Sequence, residues 1–152
     1  MHKTDDFIIN RLMWKARKNN LPSSSSFFYN DLAPDVQQYL KIHFDEAMSG
    51  QPVLFFTKPT KEWTLVCSRQ IVCNDNKQVF KINIQDIEKF KPTVFDNASK
   101  GQVIDLNGNK KSEWHQVTVV DKENNSYILH ADKGSDLFAL WSILLMAARL
   151  YD

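Results

Sequence analysis

A run of short, strand-like segments ends in one long apolar helix, and that ending constrains the fold more than any other feature of the chain. The helix reads Ser135-Asp-Leu-Phe-Ala-Leu-Trp-Ser-Ile-Leu-Leu-Met-Ala-Ala-Arg149. Leu137, Trp141, Leu144, Ala148 and Tyr151 are spaced 4, 3, 4 and 3 apart, which predicts a seam facing a core. Leu140 and Ala147 widen that seam, and Phe138 and Leu145 lie to one side. Such a helix is apolar around most of its circumference and has to be covered. Ser135 is the expected N-cap, and Gly134 lets the chain turn into the helix. The uncharged apolar stretch, 137–148, is too short to span a bilayer.

Upstream of it the pattern alternates. Strands are expected at 52–57, 62–68, 70–73, 78–84, 87–95, 114–121 and 126–131. Lys58-Pro-Thr-Lys61, Asn74-Asp-Asn-Lys77 and Lys122-Glu-Asn-Asn125 are their turns, and Pro92 marks a bend or an edge. Residues 96–113 are polar apart from Val103 and Ile104, with a strong turn signal at 105–111.

Two helices are expected before the strands. Residues 5–18 place Phe7, Ile8, Leu12 and Ala16 near one stripe, with acids in the first turn and bases in the last. A second helix is expected from 34 to 49, with Pro34 at its start, Gly50 as its stop, and Val36, Tyr39, Leu40, Phe44 and Ala47 on one face. The serine run 23–26 between them reads as a linker or an exposed loop. The expected organisation is a helical extension over 1–50 and a single β-rich domain over 51–152. A chain of 152 residues can bury a sizeable core without a disulfide or a metal.

An antiparallel run of seven strands followed by a helix with a central Trp resembles the pleckstrin-homology superfold over about residues 52–151. Trp141 matches the family's helix Trp, and Leu144, Leu145 and Ala148 match its following apolar positions. Leu65-Val-Cys-Ser-Arg-Gln-Ile-Val72 is similar to bacterial members and to GRAM-like domains. The resemblance implies an α+β fold: a pleckstrin-homology-like seven-stranded antiparallel barrel closed by the C-terminal helix, with two N-terminal helices. It also implies where a phosphoinositide would sit, on basic residues flanking the first loop in a Lys-x(n)-Lys/Arg-x-Arg pattern. Lys58 and Lys61 occupy that turn, but Trp63 stands where the motif needs Arg. Arg69 and Lys77 are the cations that would assist.

The remaining chemistry-bearing residues point away from catalysis. His115 and His130 fall on the last hairpin; pairing Asp121 with Ser126 sets His130 opposite Val117 and His115 opposite Asp132, on one face. No HxH or HExxH spacing accompanies them, so the expectation is strand histidines rather than metal ligands. Cys67 and Cys73 are expected to be small buried hydrophobes, with a bridge between them geometrically allowed if their strands form a hairpin. No G-x-S-x-G, P-loop or G-x-G-x-x-G motif occurs, and no paired carboxylates suit a metal.

These observations lead to a non-catalytic interaction module that requires no cofactor. The expected partner is another protein, with an anionic membrane surface as a second surface to consider. The candidate contacts are Lys58, Lys61, Arg69, Lys77, Lys110, Lys111, Phe27 and Phe28. A formal net charge of +1 excludes a typical nucleic-acid binder. The first residues carry no apolar run before a small-residue cleavage site, so a cytoplasmic location is expected. The alternative is a helix-grip binder or enzyme holding a small molecule or lipid in a pocket under the C-terminal helix.

Overall fold

The computed structural model describes residues 4–92 and 115–151. The first helix, α1 (Asp5–Lys18), forms where the stripe predicts it and buries Ile8, Leu12 and Ala16. Thr4 caps it: its Oγ1 accepts from Phe7 N at 3.2 Å. The serine run that follows is not a free linker. Ser23 Oγ donates to Asp136 at 2.9 Å, Ser25 Oγ donates to Asp132 at 2.7 Å, and Ser26 opens a strand, β1 (Ser26–Phe28). Hydroxyls that look solvated in sequence are held by carboxylates more than a hundred positions away.

The helix expected over 34–49 is two helices, α2 (Pro34–Lys41) and α3 (Glu46–Ser49). Asp45 is the reason for the break. Its Oδ1 accepts from Ala47 N at 3.0 Å, so it caps a new helix instead of continuing the old one. The strands then follow as β2 (Pro52–Thr57), β3 (Trp63–Cys67), β4 (Gln70–Asn74), β5 (Val79–Asn83), β6 (Ile87–Pro92), β7 (Gln116–Asp121) and β8 (Ser126–His130), and α4 (Ser135–Leu150) closes the chain. The seven expected strands are present as far as the residues are described, and β1 is an addition.

The fold is α+β. One antiparallel sheet has the order β1-β2-β3-β4-β5 and the other β6-β7-β8, and among the described residues they do not close into a barrel. Pro92 ends β6, which among the described residues is an edge strand, a position where proline is tolerated.

Two apolar clusters explain why β3 is buried at every position rather than at alternate ones. Val66 and, on neighbouring strands, Leu54, Phe56, Ile71 and Cys73 face a main core completed by Val117, Val119, Leu129, α1 and α4. On the other face, Phe55, Trp63, Leu65, Cys67 and Val72 are covered by Tyr29, Leu40 and Phe44. A sheet covered on both faces reads as a continuous apolar run. α1 and α2 therefore cover different faces of the same sheet.

α4 enters from Gly134, whose φ of 84° is glycine-permissive, so the cap position is Gly134 and not the expected Ser135. Its buried apolar residues are Leu137, Ala139, Leu140, Ile143, Leu144 and Ala147, each 0% exposed. The seam is thus centred on 137, 140, 144 and 147, and Trp141, expected at its middle, packs half-buried on the flank against Phe138 at 5.8 Å. Each large aliphatic side chain placed there contributes about 1.5–3 kcal/mol.

Gly50 ends α3 with φ 77° and ψ −164°. A Cβ there would lie 2.0 Å from Ser68 Oγ, the atom that accepts from Gln51 N. Gly50→Ala is expected to destabilise by about 2 kcal/mol, a fall of about 6 °C in Tm. A thermal melt followed by circular dichroism checks it; an unchanged melt would show that the close approach is easily relaxed.

Candidate functional site

The most unusual group in the described chain is a buried lysine. Lys58 follows β2 and was expected on an exposed turn. It is 8% exposed, and its Nζ points inward. It lies 3.0 Å from His115 Nδ1, 2.9 Å from His130 Nδ1 and 3.0 Å from Glu62 Oε2. An ammonium has three N–H bonds, and His115 O, at 3.4 Å, is a fourth and more distant acceptor beside these three. A ring nitrogen that accepts from an ammonium carries no proton, so neutral His115 and His130 hold theirs on Nε2.

The hairpin register brings the histidines there. Gln116 pairs with His130 and Val120 with Ser126, one position off the expected pairing, and Ala131 N donates to His115 O at 3.4 Å. Thr64 on β3 completes the seam. Its Oγ1 donates to His130 O at 2.6 Å and accepts from His130 N at 3.1 Å. Thr64 belongs to the five-stranded sheet, Lys58 directly follows its strand β2, and His130 belongs to the three-stranded sheet, so the cluster joins the two sheets.

Electrostatics follow from burial and the ammonium. Burial and the Lys58 charge push His130 down to about 4, and His115 is lowered for the same two reasons. Burial works to raise the Glu62 carboxyl, but hydrogen bonds from Lys58 and Thr60 outweigh it and leave it below the usual carboxylate range. The cluster is therefore one ammonium, one carboxylate and two neutral imidazoles. Its donors converge on an ammonium; among the described residues no group of three or more His, Cys, Asp or Glu is arranged to hold a metal ion.

Cys67 and Cys73 are both buried and free. The register sets Cys73 opposite Thr64, and the two thiols belong to different clusters on opposite sheet faces, so no bridge joins them. Burial pushes both up to about 12, which keeps them protonated and poor nucleophiles at neutral pH.

The four candidate cations of the described chain do not converge. Lys58 is engaged inside. Lys61, with φ 80°, and Lys77 are exposed on neighbouring turns, which Asn76 Nδ2 ties together by donating to Thr60 O at 2.7 Å. Arg69 lies at the other end of the β3–β4 hairpin, roughly 16 Å away along the strand. Arg69 is also committed: it donates to Asp5 at 3.1 and 2.7 Å and to Ala47 O at 3.2 Å. Phe28 is core and Phe27 is half-buried against the second cluster, so the aromatic triplet 27–29 docks inward. Lys110 and Lys111, with Trp114, His2 and the loop 105–113, lie outside the described residues.

Clefts open on the surface among the described residues, three of them as follows. One of about 480 Å³ runs between α1, β1 and the start of β2, with Ile9, Met13 and Phe28 among its walls. One of about 380 Å³ has Lys58, Glu62, His115 and Asp132 in its lining. One of about 360 Å³ includes Lys77, Phe80, Tyr127 and His130. None of the three is lined by α4.

A different surface escaped the sequence reading. Ile42 is 77% exposed, Met48 65% and Tyr39 47%, all on α2, α3 and the bend between them. Tyr39 also belongs to an aromatic cluster: it meets His43 at 5.1 Å and Trp63 at 6.2 Å, and Trp63 meets Phe55 at 6.0 Å. Trp63 Nε1 donates to Tyr39 Oη at 3.4 Å. Part of the signal was legible: Ile42 falls off the apolar stripe that buries Leu40 and Phe44, whereas Met48, four positions after Phe44, falls on it and is exposed on the separate helix α3. Among the described residues no helix is long and apolar enough to cross a membrane. No protein-family model, no curated protein and no solved structure matches this chain.

Proposed function

We propose that the chain is a non-catalytic protein-interaction module with a pleckstrin-homology-like core, and that its partner engages the α2–α3 face. The order of four strands (β2–β5), three strands (β6–β8) and a closing helix supports the core assignment, with β1 added at the sheet edge and α1 and α2 as coverings. The Lys58 cluster supports a non-catalytic reading, because the ammonium is engaged by His115, His130 and Glu62 between the two sheets. The fully packed face of α4 favours a filled core over a pocket beneath that helix. Cytoplasmic placement and the absence of a cofactor belong to the same proposal.

The observation that carries the reading is the exposure of Ile42, Met48 and Tyr39 on α2, α3 and the bend between them, with Tyr39 packed against Trp63. Aromatic and aliphatic anchors of this kind dominate binding energy at protein interfaces. Ile42→Asp combined with Met48→Asp is expected to leave the fold intact, since both side chains are mostly in solvent. It should weaken partner binding about 30-fold or more. Affinity capture with the wild-type chain and the double variant, quantified side by side, decides it. Identical capture by the two proteins, or no specific partner for the wild type, would count against the reading.

A further inference from the structure

We infer that the outer face of α1 is a contact surface for an anionic lipid bilayer, separate from the α2–α3 face. The helix buries Ile8, Leu12 and Ala16, which fixes what the opposite side presents. Phe7, Arg11, Trp14 and Lys18 recur every three to four residues and form one outward seam. Phe7 is 44% exposed and Trp14 39%. Both cations of the seam lean on the indole: the Arg11 guanidinium lies 4.2 Å and the Lys18 ammonium 4.7 Å from the Trp14 ring centre. Lys15 and Arg17 flank the seam.

The charge on this helix is not internally balanced. Asp5 is turned away and bound to Arg69, which leaves Asp6 as the acid of the outer face. Among the described residues no carboxylate forms an ion pair with Arg11, Lys15, Arg17 or Lys18. Four cations against one acid are therefore concentrated on one helix of a chain whose net charge is only +1. On α4, which packs against α1, Phe138 and Leu145 are 37% and 36% exposed, and the exposed Arg149 adds a cation near its end.

The shape of the seam selects the bilayer over an acidic protein. An exposed helix flank is a ridge, and a ridge of aromatic rings between cations suits a deformable interface. Indole settles at the headgroup level, and Lys and Arg meet anionic headgroups while their stems lie along the apolar boundary. Each cation near an anionic surface strengthens partition about fivefold. With a near-neutral chain, the binding must be local, salt-sensitive and dependent on this face.

Sedimentation of the full chain with large vesicles tests the inference. The vesicles are phosphatidylcholine alone, or phosphatidylcholine with an equal part of phosphatidylglycerol, at about 50 mM and about 500 mM salt. The expected result is binding to the anionic vesicles at low salt and release at high salt. Arg11→Gln, Lys15→Gln and Lys18→Gln together should weaken it about 100-fold. Phe7→Ser should also weaken it, whereas Lys77→Gln and Ile42→Asp should leave it unchanged. Thermal melts confirm that each variant is folded. The inference is overturned by equal binding to neutral vesicles, by no binding to anionic ones, by a triple variant that binds like the wild type, or by binding to polyglutamate but not to vesicles. Loss of partner capture in Ile42→Asp with vesicle binding intact would separate the two surfaces.

Discussion

Lys58→Met is expected to lower the free energy of unfolding by about 4 kcal/mol at pH 8. Met keeps most of the apolar stem and deletes the ammonium, so the change isolates the charge and its donors. What remains is His115 Nδ1, His130 Nδ1 and the Glu62 carboxylate with no cation between them. Removing one partner of a buried charged group costs about 3–5 kcal/mol, because the groups left behind stay desolvated. Glu62 moderates the loss, since it still accepts from Thr60 at 2.9 Å and from Asn76 at 2.7 Å. Urea melts of the two proteins measure the difference. A gap below about 1 kcal/mol would mean that Lys58 does not tie the sheets together. Adding Glu62→Gln should recover part of the loss, because the unpaired carboxylate is then gone; the coupling between the two changes should be at least about 1 kcal/mol.

Acid should destabilise the wild-type protein well before its surface carboxylates are exhausted. His130 titrates at about 4 in the folded chain, against 6.5 when unperturbed. Between those values the unfolded chain binds a proton that the folded chain refuses. Stability is therefore complete above about pH 6.5, falls as the pH drops toward 4, and loses nothing more from His130 below that. At ~1.4 kcal/mol per pH unit the His130 contribution to the loss is about 3 kcal/mol. Glu62 acts in the same direction by the opposite route. Its carboxyl is held below the usual range by Lys58 and Thr60, so its contribution is present at neutral pH and is lost as the pH falls through its folded value.

The groups facing His130 set this behaviour. Lys58 and His115 oppose its protonation, while Glu62 and Asp75 favour it. In Lys58→Met the largest opposing charge disappears and Glu62 remains. The imidazole should then titrate closer to its ordinary value, and the slope of stability between pH 4 and 6.5 should flatten. Nuclear magnetic resonance of the imidazole protons, together with urea melts across the range, checks both statements. A folded-state His130 that titrates at or above 6.5 would remove the basis of the cluster as described.

The interaction surfaces and the buried cluster differ in how much of them can be read locally. Phe7, Arg11, Trp14 and Lys18 fall on one side of α1 by helical spacing alone, and Ile42 falls off the buried stripe of its segment by the same rule, whereas Met48 falls on that stripe and its exposure follows from the break at Asp45. Burial of Lys58 could not be read that way. A lysine beside a proline at the end of a strand has the local chemistry of a solvated turn. Its histidine acceptors lie 57 and 72 positions downstream. The same limit applies to Arg69, which looks free beside Ser68 until Asp5, 64 positions upstream, is brought against it. It applies as well to the serine run, whose carboxylate partners stand at the start of α4.

The elements themselves were set by short-range physics. The apolar spacing of α1 and α4, the turn residues between strands and the stop at Gly50 act within one or two turns of chain, and they determine helix or strand before any partner arrives. Even the break at Asp45 is a local event, a side-chain cap competing with a continuing helix. Only the tertiary structure decided which side of each element would be covered. It centred the last helix on Leu140 and moved Trp141 to its flank, put Phe28 in the core, and turned Lys58 from solvent toward two histidines. These outcomes depend on groups that meet only after two sheets and four helices have packed, and on desolvation, which exists only once they have.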